Sequence, residues 1–128
     1  MDDAASSAPM SPRRVLLVDD SSYVRARLSS ALRAKGVEPL AVSHGEEALA
    51  CDLASIDAAI LDVELGDASG VALARALLAR APLRVAFLTG NVRAATDQKA
   101  ETLGPVFPKD WDLAPLLAWL LEARAEDA

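Results

Sequence analysis

Short apolar runs alternate with helix-like stretches along this chain of 128 residues. Continuous runs of Val, Leu, Ile and Ala are typical of strands that are covered on both faces of a parallel sheet. These runs predict strands at residues 15–18, 37–42, 56–61, 83–88 and 105–107. The second strand contains Pro39, which has no amide hydrogen to donate, so we expect this strand at an edge of the sheet.

Between these strands, apolar residues recur at helical spacing. The first helix carries an i, i+4, i+8 stripe from Val24 to Leu32, and Gly36 is suited to end it. Either Ser21 or Ser22 can cap its first turn. The sequence therefore predicts a helix between the first two strands.

Similar signals predict four further helices. Residues 43–46 have capping-box spacing before a short helix, and apolar residues mark a third helix over residues 71–78. A fourth helix is expected over residues 91–103, and a strongly apolar last helix, capped by Asp112, covers residues 113–121. Five strand–helix repeats imply a single α/β domain with a right-handed, doubly wound parallel sheet.

Charged and hydroxyl side chains follow four of the predicted strands. They are Asp19 and Asp20 after the first strand, Asp62 after the third, Thr89 after the fourth and Lys109 after the fifth. Because the carboxyl ends of parallel strands form the ligand-binding crevice of such sheets, we expect these groups to converge. Three carboxylates, a hydroxyl and an ammonium would suit Mg²⁺ and a phosphoryl group.

Each residue type indicates a role in that site. Asp19 and Asp20 can give Mg²⁺ one direct ligand and one water-mediated ligand. Asp62 is the candidate phosphoacceptor, because a carboxylate can attack phosphorus once cations neutralise the charge that develops on the oxygens. Thr89 can donate a hydrogen bond to one phosphoryl oxygen, and Lys109 can pair with another. Taken singly, each motif is common in loops and caps, so the prediction depends on their joint placement.

Composition and charge exclude several classes of protein. The net charge of −6 argues against nucleic-acid binding, which normally needs a basic face. The single cysteine, Cys51, cannot form an intramolecular disulfide, so a reduced, cytoplasmic location and a packing role are expected. No apolar run approaches the ~18–20 residues that span a bilayer, so no membrane association is expected. Residues 1–12, rich in Ala, Ser and Pro, are expected to be a flexible lead-in.

The strand-end motifs resemble those of the receiver domain of two-component response regulators. The motifs are Asp19-Asp20, Leu61-Asp62-Val63, Leu88-Thr89-Gly90 and Pro108-Lys109. The resemblance covers residues 13–121 and leaves residues 122–128 as a C-terminal tail. It implies a flavodoxin-like, five-stranded parallel sheet with strand order 2-1-3-4-5 and five helices.

For the site, the resemblance implies phosphoryl transfer to Asp62 from a histidine kinase or phosphotransfer protein. It implies Mg²⁺ bound by Asp19, Asp20, Asp62 and the backbone carbonyl of Glu64. Such a chain is a phosphoacceptor in a phosphorelay rather than an enzyme with a separate substrate, and it can have a downstream protein partner. The segments 62–66 and 105–109 are most similar to receivers that stand alone or are fused to sensor kinases, so we expect a single-domain regulator.

Two positions depart from the family's pattern. The family usually has a proline directly after the lysine, whereas here Pro108 precedes Lys109 and Asp110 follows it. The family's switch aromatic, three residues before the lysine, is Val106 in this chain. A rotating ring cannot couple phosphorylation to signalling at that position, so we expect intact phosphorylation chemistry with an altered output.

Two polar residues are expected to modulate the lifetime of the phosphoryl group. Glu64 lies two residues after Asp62, and Asn91 lies two residues after Thr89. In this fold, both positions should overhang the phosphoryl group, where a side chain can orient water or repel charge.

Other residues and other functions carry less weight. His44 is expected to be a loop or cap residue, and Trp111 and Trp119 to be packing residues near the last helix, with a partner surface as the alternative. A Mg²⁺-dependent phosphohydrolase with an aspartyl nucleophile is a rival function, although such enzymes carry Asp-x-Asp after the first strand. A phosphorylation-independent binding module is a third hypothesis. Turnover of a small phosphate ester would favour the hydrolase, and failure to bind Mg²⁺ at millimolar levels would favour the binding module.

Overall fold

The computed structural model describes residues 14–66, 68–110 and 112–127, and within them strands and helices alternate as the sequence predicts, apart from a short hairpin that follows the third strand. The strands are β1 (Arg14–Val18), β2 (Glu38–Val42), β3 (Ala58–Asp62), β4 (Glu64–Leu65), β5 (Ala68–Ser69), β6 (Arg84–Thr89) and β7 (Val106–Pro108). The helices are α1 (Ser22–Ala34), α2 (Gly45–Ala50), α3 (Gly70–Leu78), α4 (Val92–Asp97) and α5 (Ala114–Asp127). The predicted strand bounds differ from these by one or two residues.

Five of the strands form one parallel sheet in the order β2–β1–β3–β6–β7. With the hairpin strands β4 and β5 left out of the count, this order is the predicted 2-1-3-4-5, and the flavodoxin-like fold is confirmed. Pro39 lies opposite Val15 in the edge strand β2, a position where the missing amide hydrogen of proline does not cost the sheet a hydrogen bond. The strand order reverses between β1 and β3, so a crevice opens there at their carboxyl ends.

The two faces of the sheet pack against different helices. Alternate residues of β1 point to opposite faces, so Leu16 and Val18 join one buried cluster while Val15 and Leu17 join the other. The first cluster includes side chains of α2, α3 and α4. The second is covered by α1 and α5. Each leucine that is fully buried in this way stabilises the fold by about 1.5–3 kcal/mol relative to an exposed one.

The ends of α1 confirm the sequence prediction. Ser21 is the N-cap, and its hydroxyl oxygen accepts a hydrogen bond from the Val24 amide at 3.2 Å. At the other end, Gly36 adopts φ +79°, a left-handed conformation that glycine tolerates without strain. The Val37 amide then donates to the Leu32 carbonyl at 3.0 Å, which satisfies a carbonyl of the last turn and starts the chain toward β2.

The capping box of α2 lies one residue later than its sequence spacing suggests. His44 is the N-cap residue, as expected for a cap position, and Glu47 rather than Glu46 completes the box. The Glu47 carboxylate accepts hydrogen bonds from the amides of Ser43 and His44 at 2.9 and 3.1 Å. These bonds hold the pKa of Glu47 below its ordinary value.

The prediction of one helix over residues 91–103 is wrong. Helix α4 ends at Asp97, Lys99 adopts a left-handed backbone with φ +61°, and a separate 3₁₀ turn covers Ala100–Thr102. Ala95 is the only buried residue of α4. The weak apolar periodicity of this stretch therefore reflects a short helix with little packing rather than a continuous one.

The structure describes the C-terminal end of the chain to residue 127, whereas at the N-terminal end the description begins at residue 14. The expected lead-in of residues 1–12 and the side chain of Trp111 lie outside the described residues. Helix α5 runs to Asp127, so the segment expected as a tail after residue 121 begins inside this helix. Asp112 accepts a hydrogen bond from the Ala114 amide at 3.1 Å, but the helix begins at Ala114, so Asp112 lies one residue before the N-cap position rather than at it as predicted. Among the described helices, none combines the length and apolar character needed to cross a bilayer.

Gly104 permits the close approach of two backbone segments, and this contact generates a stability prediction. A Cβ at this position would lie 1.8 Å from the carbonyl oxygen of Val85 in β6, whereas a Cβ at Gly90 would have nothing within 4 Å. We expect Gly104→Ala to lower the free energy of unfolding by ~2 kcal/mol or more because strand backbone must move. Gly90→Ala should change it by less than about 0.5 kcal/mol. Urea unfolding of both variants checks this, and equal effects would contradict the contact.

Candidate functional site

Three carboxylates meet at the carboxyl ends of β1 and β3. One carboxylate oxygen from each of Asp19, Asp20 and Asp62 lies within 4.8 Å of the others. Asp19 and Asp62 are buried, while Asp20 is exposed at the rim of the crevice. A cluster of hard oxygen ligands that is open to solvent on one side is the donor set that Mg²⁺ prefers, because this ion usually keeps several waters. The structure thus brings together the three aspartates that the sequence singled out.

Lys109 joins two of these carboxylates. Its Nζ lies 2.9 Å from Asp19 Oδ2 and 3.0 Å from Asp62 Oδ2. The Lys109 amide donates to the Thr89 carbonyl at 2.9 Å, which continues the pairing of β7 with β6 and fixes where the lysine side chain begins. The lysine reaches the site with Asp110, not proline, as the next residue.

Burial and charge shift the pKa values of the paired groups. Burial raises the pKa of Asp62 above its ordinary value, and the neighbouring Asp19 charge adds to this. Hydrogen bonds from Lys109 and from the Glu64 amide act in the opposite direction but do not cancel the rise. Burial alone would lower the pKa of Lys109, yet its bonds to Asp19 and Asp62 raise it overall. The Lys109 ammonium is therefore stabilised in its charged form, whereas burial makes the charged form of the Asp62 carboxylate less favourable than it is in water.

The loop after β1 is fixed by hydrogen bonds at Asp19. The Asp19 amide donates to the Val42 carbonyl at 3.2 Å, and Asp19 Oδ1 accepts from the Ser21 amide at 2.9 Å. Arg25 Nη1 donates to the Asp19 carbonyl at 2.8 Å. Sequence reasoning missed Arg25, because an arginine off the apolar stripe of α1 is usually solvated. Its place on the first turns of the helix after the paired aspartates was the available signal.

The loop after β3 packs closely on the phosphoacceptor candidate. The Glu64 amide donates to Asp62 Oδ1 at 3.1 Å, while the Glu64 side chain is exposed. Strands β4 and β5 then form a two-stranded antiparallel hairpin that the sequence did not predict. Gly70 follows, and a Cβ there would lie 1.7 Å from the Asp62 carbonyl oxygen. Only glycine lets the start of α3 pack directly against this backbone, a role that its place after the N-cap Ser69 did not reveal.

Thr89 lies at the correct strand end, but its hydroxyl is turned toward its own loop. Thr89 Oγ1 accepts a hydrogen bond from the Asn91 amide at 2.8 Å and donates to the Asn91 carbonyl at 3.0 Å. The Asn91 side chain in turn accepts from the Ala94 amide and is the N-cap of α4. Within the part of the chain that the structure describes, therefore, neither side chain forms a hydrogen bond with the three carboxylates.

Val106 and Phe107 lie on opposite faces of the sheet. Val106 packs against the cluster of α2, α3 and α4, whereas Phe107 packs against the cluster of α1 and α5. Phe107 contacts Trp119 with ring centroids 6.5 Å apart, and the Arg84 guanidinium lies 5.5 Å from the Trp119 ring. Phe107 therefore does not supply an aromatic ring on the face where Val106 stands. The contact also shows the packing role expected of Trp119.

Comparison with known proteins identifies similar chains. A family model described as the response regulator receiver domain matches residues 15–118. The response regulator TrrA of Thermotoga maritima, solved in complex with Mg²⁺ and BeF, is 26% identical with a TM-score of 0.74, over 82% of this chain and 93% of that chain. A CheY-like receiver domain from Methylobacillus flagellatus is 25% identical with a TM-score of 0.73, over 86% of this chain and 99% of that chain.

A third structure shares the fold at lower identity. It is a response regulator from Burkholderia pseudomallei with a phosphorylated aspartic acid, a calcium ion and citrate, and it is 24% identical. The TM-score is 0.71, over 91% of this chain and 73% of that chain. The search of curated proteins found no match.

The crowding of negative charge generates a prediction about metal-linked stability. Without divalent cations at pH 7, Asp62→Asn should raise the melting temperature, because it removes a carboxylate whose pKa is raised in the fold. Millimolar Mg²⁺ should stabilise the wild type, by about 1.4 kcal/mol at ten times its dissociation constant. The variant should gain less from Mg²⁺.

Glu38→Gln is the matched control, since it removes one exposed carboxylate at the opposite end of the sheet. Its response to Mg²⁺ in thermal unfolding should equal that of the wild type. A wild type without any Mg²⁺-dependent stabilisation would contradict the metal site.

Proposed function

Because the chain belongs to the response regulator receiver domain family, we propose that Asp62 accepts a phosphoryl group from a histidine kinase or phosphotransfer protein. The reaction depends on Mg²⁺ and serves phosphorelay signal transduction. One observation carries the proposal: a buried aspartate lies within reach of two further carboxylates and pairs with a lysine ammonium. The Mg²⁺–BeF complex of the similar TrrA structure supports the choice of ion.

The donor set fits the proposed ion. Asp19, Asp20 and Asp62 would hold Mg²⁺ through carboxylate oxygens, and Glu64 through its backbone carbonyl. When bound, the ion supplies positive charge that offsets the charge on the transferred group. The exposed position of Asp20 leaves that side of the cluster open to water and to an incoming phosphoryl group.

Asp62 is the nucleophile in the proposed transfer. A carboxylate oxygen attacks phosphorus, a P–O bond forms, and the P–N bond of the donor phosphohistidine breaks. The electron pair of that bond stays with the imidazole, which is then protonated by water. Lys109 shares its ammonium between Asp19 and Asp62 before transfer. After transfer the ammonium can remain paired with Asp19 and can pair with a phosphoryl oxygen in place of the Asp62 oxygen.

Thr89 needs a rotation to act in this site. Its hydroxyl donates to the Asn91 carbonyl, so it must give up that bond to donate to a phosphoryl oxygen. The exchange replaces a neutral hydrogen bond by one to a charged oxygen, which is roughly twice as strong. Thr89 therefore stabilises the phosphorylated form more than the unphosphorylated one.

The proposal extends to the partners and the location of the protein. The chain acts as a phosphoacceptor, with catalysis limited to its own phosphorylation and dephosphorylation, and a downstream protein partner reads the phosphorylated form. The single cysteine, half-buried with its thiol donating to the Ala48 carbonyl, fits a reducing cytoplasm. The acidic composition supports a protein partner rather than nucleic acid.

Labelling with a small phosphodonor tests the acceptor. With Mg²⁺ and acetyl phosphate, the wild type should gain one phosphoryl group as a base-labile acyl phosphate, detected by intact mass measurement. Asp62→Asn removes the nucleophile with little change of shape and should abolish the gain. Asp20→Ala should slow it, because a metal ligand is lost from the exposed rim. Glu38→Gln should label at the wild-type rate. Normal labelling of Asp62→Asn would show that the acceptor is another residue.

Glu64 provides a test of the lifetime of the phosphoryl group. Its side chain is exposed beside Asp62, so its charge should act on the water or the phosphoryl group nearby. We expect Glu64→Ala to change the dephosphorylation rate by about threefold or more, the scale of a solvent-screened charge contact. Glu64→Gln separates charge from size, and Glu101→Ala, at an exposed position in the 3₁₀ turn, is the control. An unchanged half-life of the phosphorylated Glu64→Ala protein would remove this side chain from the site.

A further inference from the structure

One side-chain hydrogen bond joins the loop after Asp62 to the end of α4. Ser69 Oγ donates to Gln98 Oε1 at 2.6 Å, across 29 positions of sequence. The same hydroxyl oxygen accepts from the Ala72 amide at 3.0 Å, which caps the N-terminus of α3. A single serine therefore connects the β4–β5 hairpin, α3 and the C-cap residue of α4.

Helix α4 depends on contacts of this kind. It has six residues, a length at which an isolated helix is not stable in water. Its buried surface is small, since Ala95 is its only buried residue, and Val92 is an exposed large apolar side chain. Beyond Gln98 the chain turns through the left-handed Lys99, so the helix is not continued and Ala100–Thr102 forms a separate 3₁₀ turn. Little side-chain packing therefore holds this helix, which gives the hydrogen bonds at its two ends a larger share in its placement.

We propose that the Ser69–Gln98 hydrogen bond is a latch through which the loop that follows Asp62 positions α4, with Gln98 as a positioning residue. The proposal rests on the proposed function only in its response to phosphorylation. The loop begins at the Glu64 amide, which donates to Asp62 Oδ1, and it ends at Ser69. A phosphoryl group on Asp62 competes for that amide and shifts the hairpin, so the latch carries the shift to Gln98.

The other end of α4 responds to the same event. The Thr89 hydroxyl bonds to both the amide and the carbonyl of Asn91, the N-cap of α4. When the hydroxyl turns to a phosphoryl oxygen, its bond to the Asn91 carbonyl is lost. Both ends of this weakly packed helix are thus tied to loops of the phosphoacceptor site. The position of α4 can then report phosphorylation in a chain that has Val106 in place of a rotating aromatic ring.

Hydrogen–deuterium exchange of the α4 amides tests the latch with matched variants. Gln98→Met keeps the side-chain length but removes the acceptor, while Gln98→Glu keeps an acceptor for the Ser69 hydroxyl. Thr96→Ala removes a hydrogen bond inside α4, to the Val92 carbonyl, without touching the loop. Without ligand, Gln98→Met should exchange roughly five- to tenfold faster in α4, the effect of losing one net hydrogen bond. Gln98→Glu should stay near the wild-type exchange rate. Thr96→Ala should keep the Ser69–Gln98 hydrogen bond that couples α4 to the loop.

A second arm adds Mg²⁺ and beryllofluoride as the phosphoryl mimic. The wild type and Gln98→Glu should change their α4 exchange on binding, and Gln98→Met should change it clearly less. Equal exchange of Gln98→Met and the wild type without ligand would overturn the latch, whatever the ligand arm shows. A wild type that binds neither Mg²⁺ nor beryllofluoride would instead contradict the proposed function, and the ligand-free arm would still decide the latch.

Discussion

The ammonium of Lys109 between the carboxylates of Asp19 and Asp62 is the interaction on which the rest of the site depends. Two buried carboxylates a few ångströms apart repel each other, and burial alone disfavours their charged forms. Removing the lysine would leave both buried carboxylates without their cation, and breaking a buried ion pair in this way costs about 3–5 kcal/mol. The lysine supplies the positive charge that offsets both carboxylates where they lie close together at the strand ends.

The sheet order makes this ion pair possible. Asp19 and Asp62 follow the adjacent strands β1 and β3, while Lys109 follows β7, which is separated from β3 by β6. Alternate strands lie ~10 Å apart, a distance that the long stem of a lysine can cross. The backbone contact of Gly70 with Asp62 and the hydrogen bonds at Asp19 fix the positions of the two carboxylates after β1 and β3, which the lysine reaches from β7. The fold therefore delivers opposite charges to one point from three strands.

Local sequence signals were sufficient for the main architecture and for the identities of the converging residues. Apolar runs and helix caps such as Ser21 and Gly36 depend on near neighbours, so they can be recognised from sequence. The prediction of the strand order, which the structure confirms, came from the resemblance to a family rather than from periodicity.

The features that sequence analysis missed depend on tertiary contacts. The break after α4 follows from a lack of packing partners, which periodicity over small side chains does not show. The Arg25 contact with the Asp19 carbonyl and the Ser69–Gln98 bond each join segments whose approach is set by the whole fold. The orientation of the Thr89 hydroxyl toward Asn91 is likewise a matter of loop geometry rather than of residue type.

In the proposed function, the convergence of these charges makes Asp62 the phosphoacceptor. Borohydride reduction of the wild-type protein after labelling identifies the acceptor, because an aspartyl phosphate is converted to homoserine and tandem mass spectrometry locates the altered residue. Homoserine is expected at position 62 alone, and only when Mg²⁺ was present during labelling. Homoserine at position 19 or 20, or labelling that is independent of Mg²⁺, would contradict it.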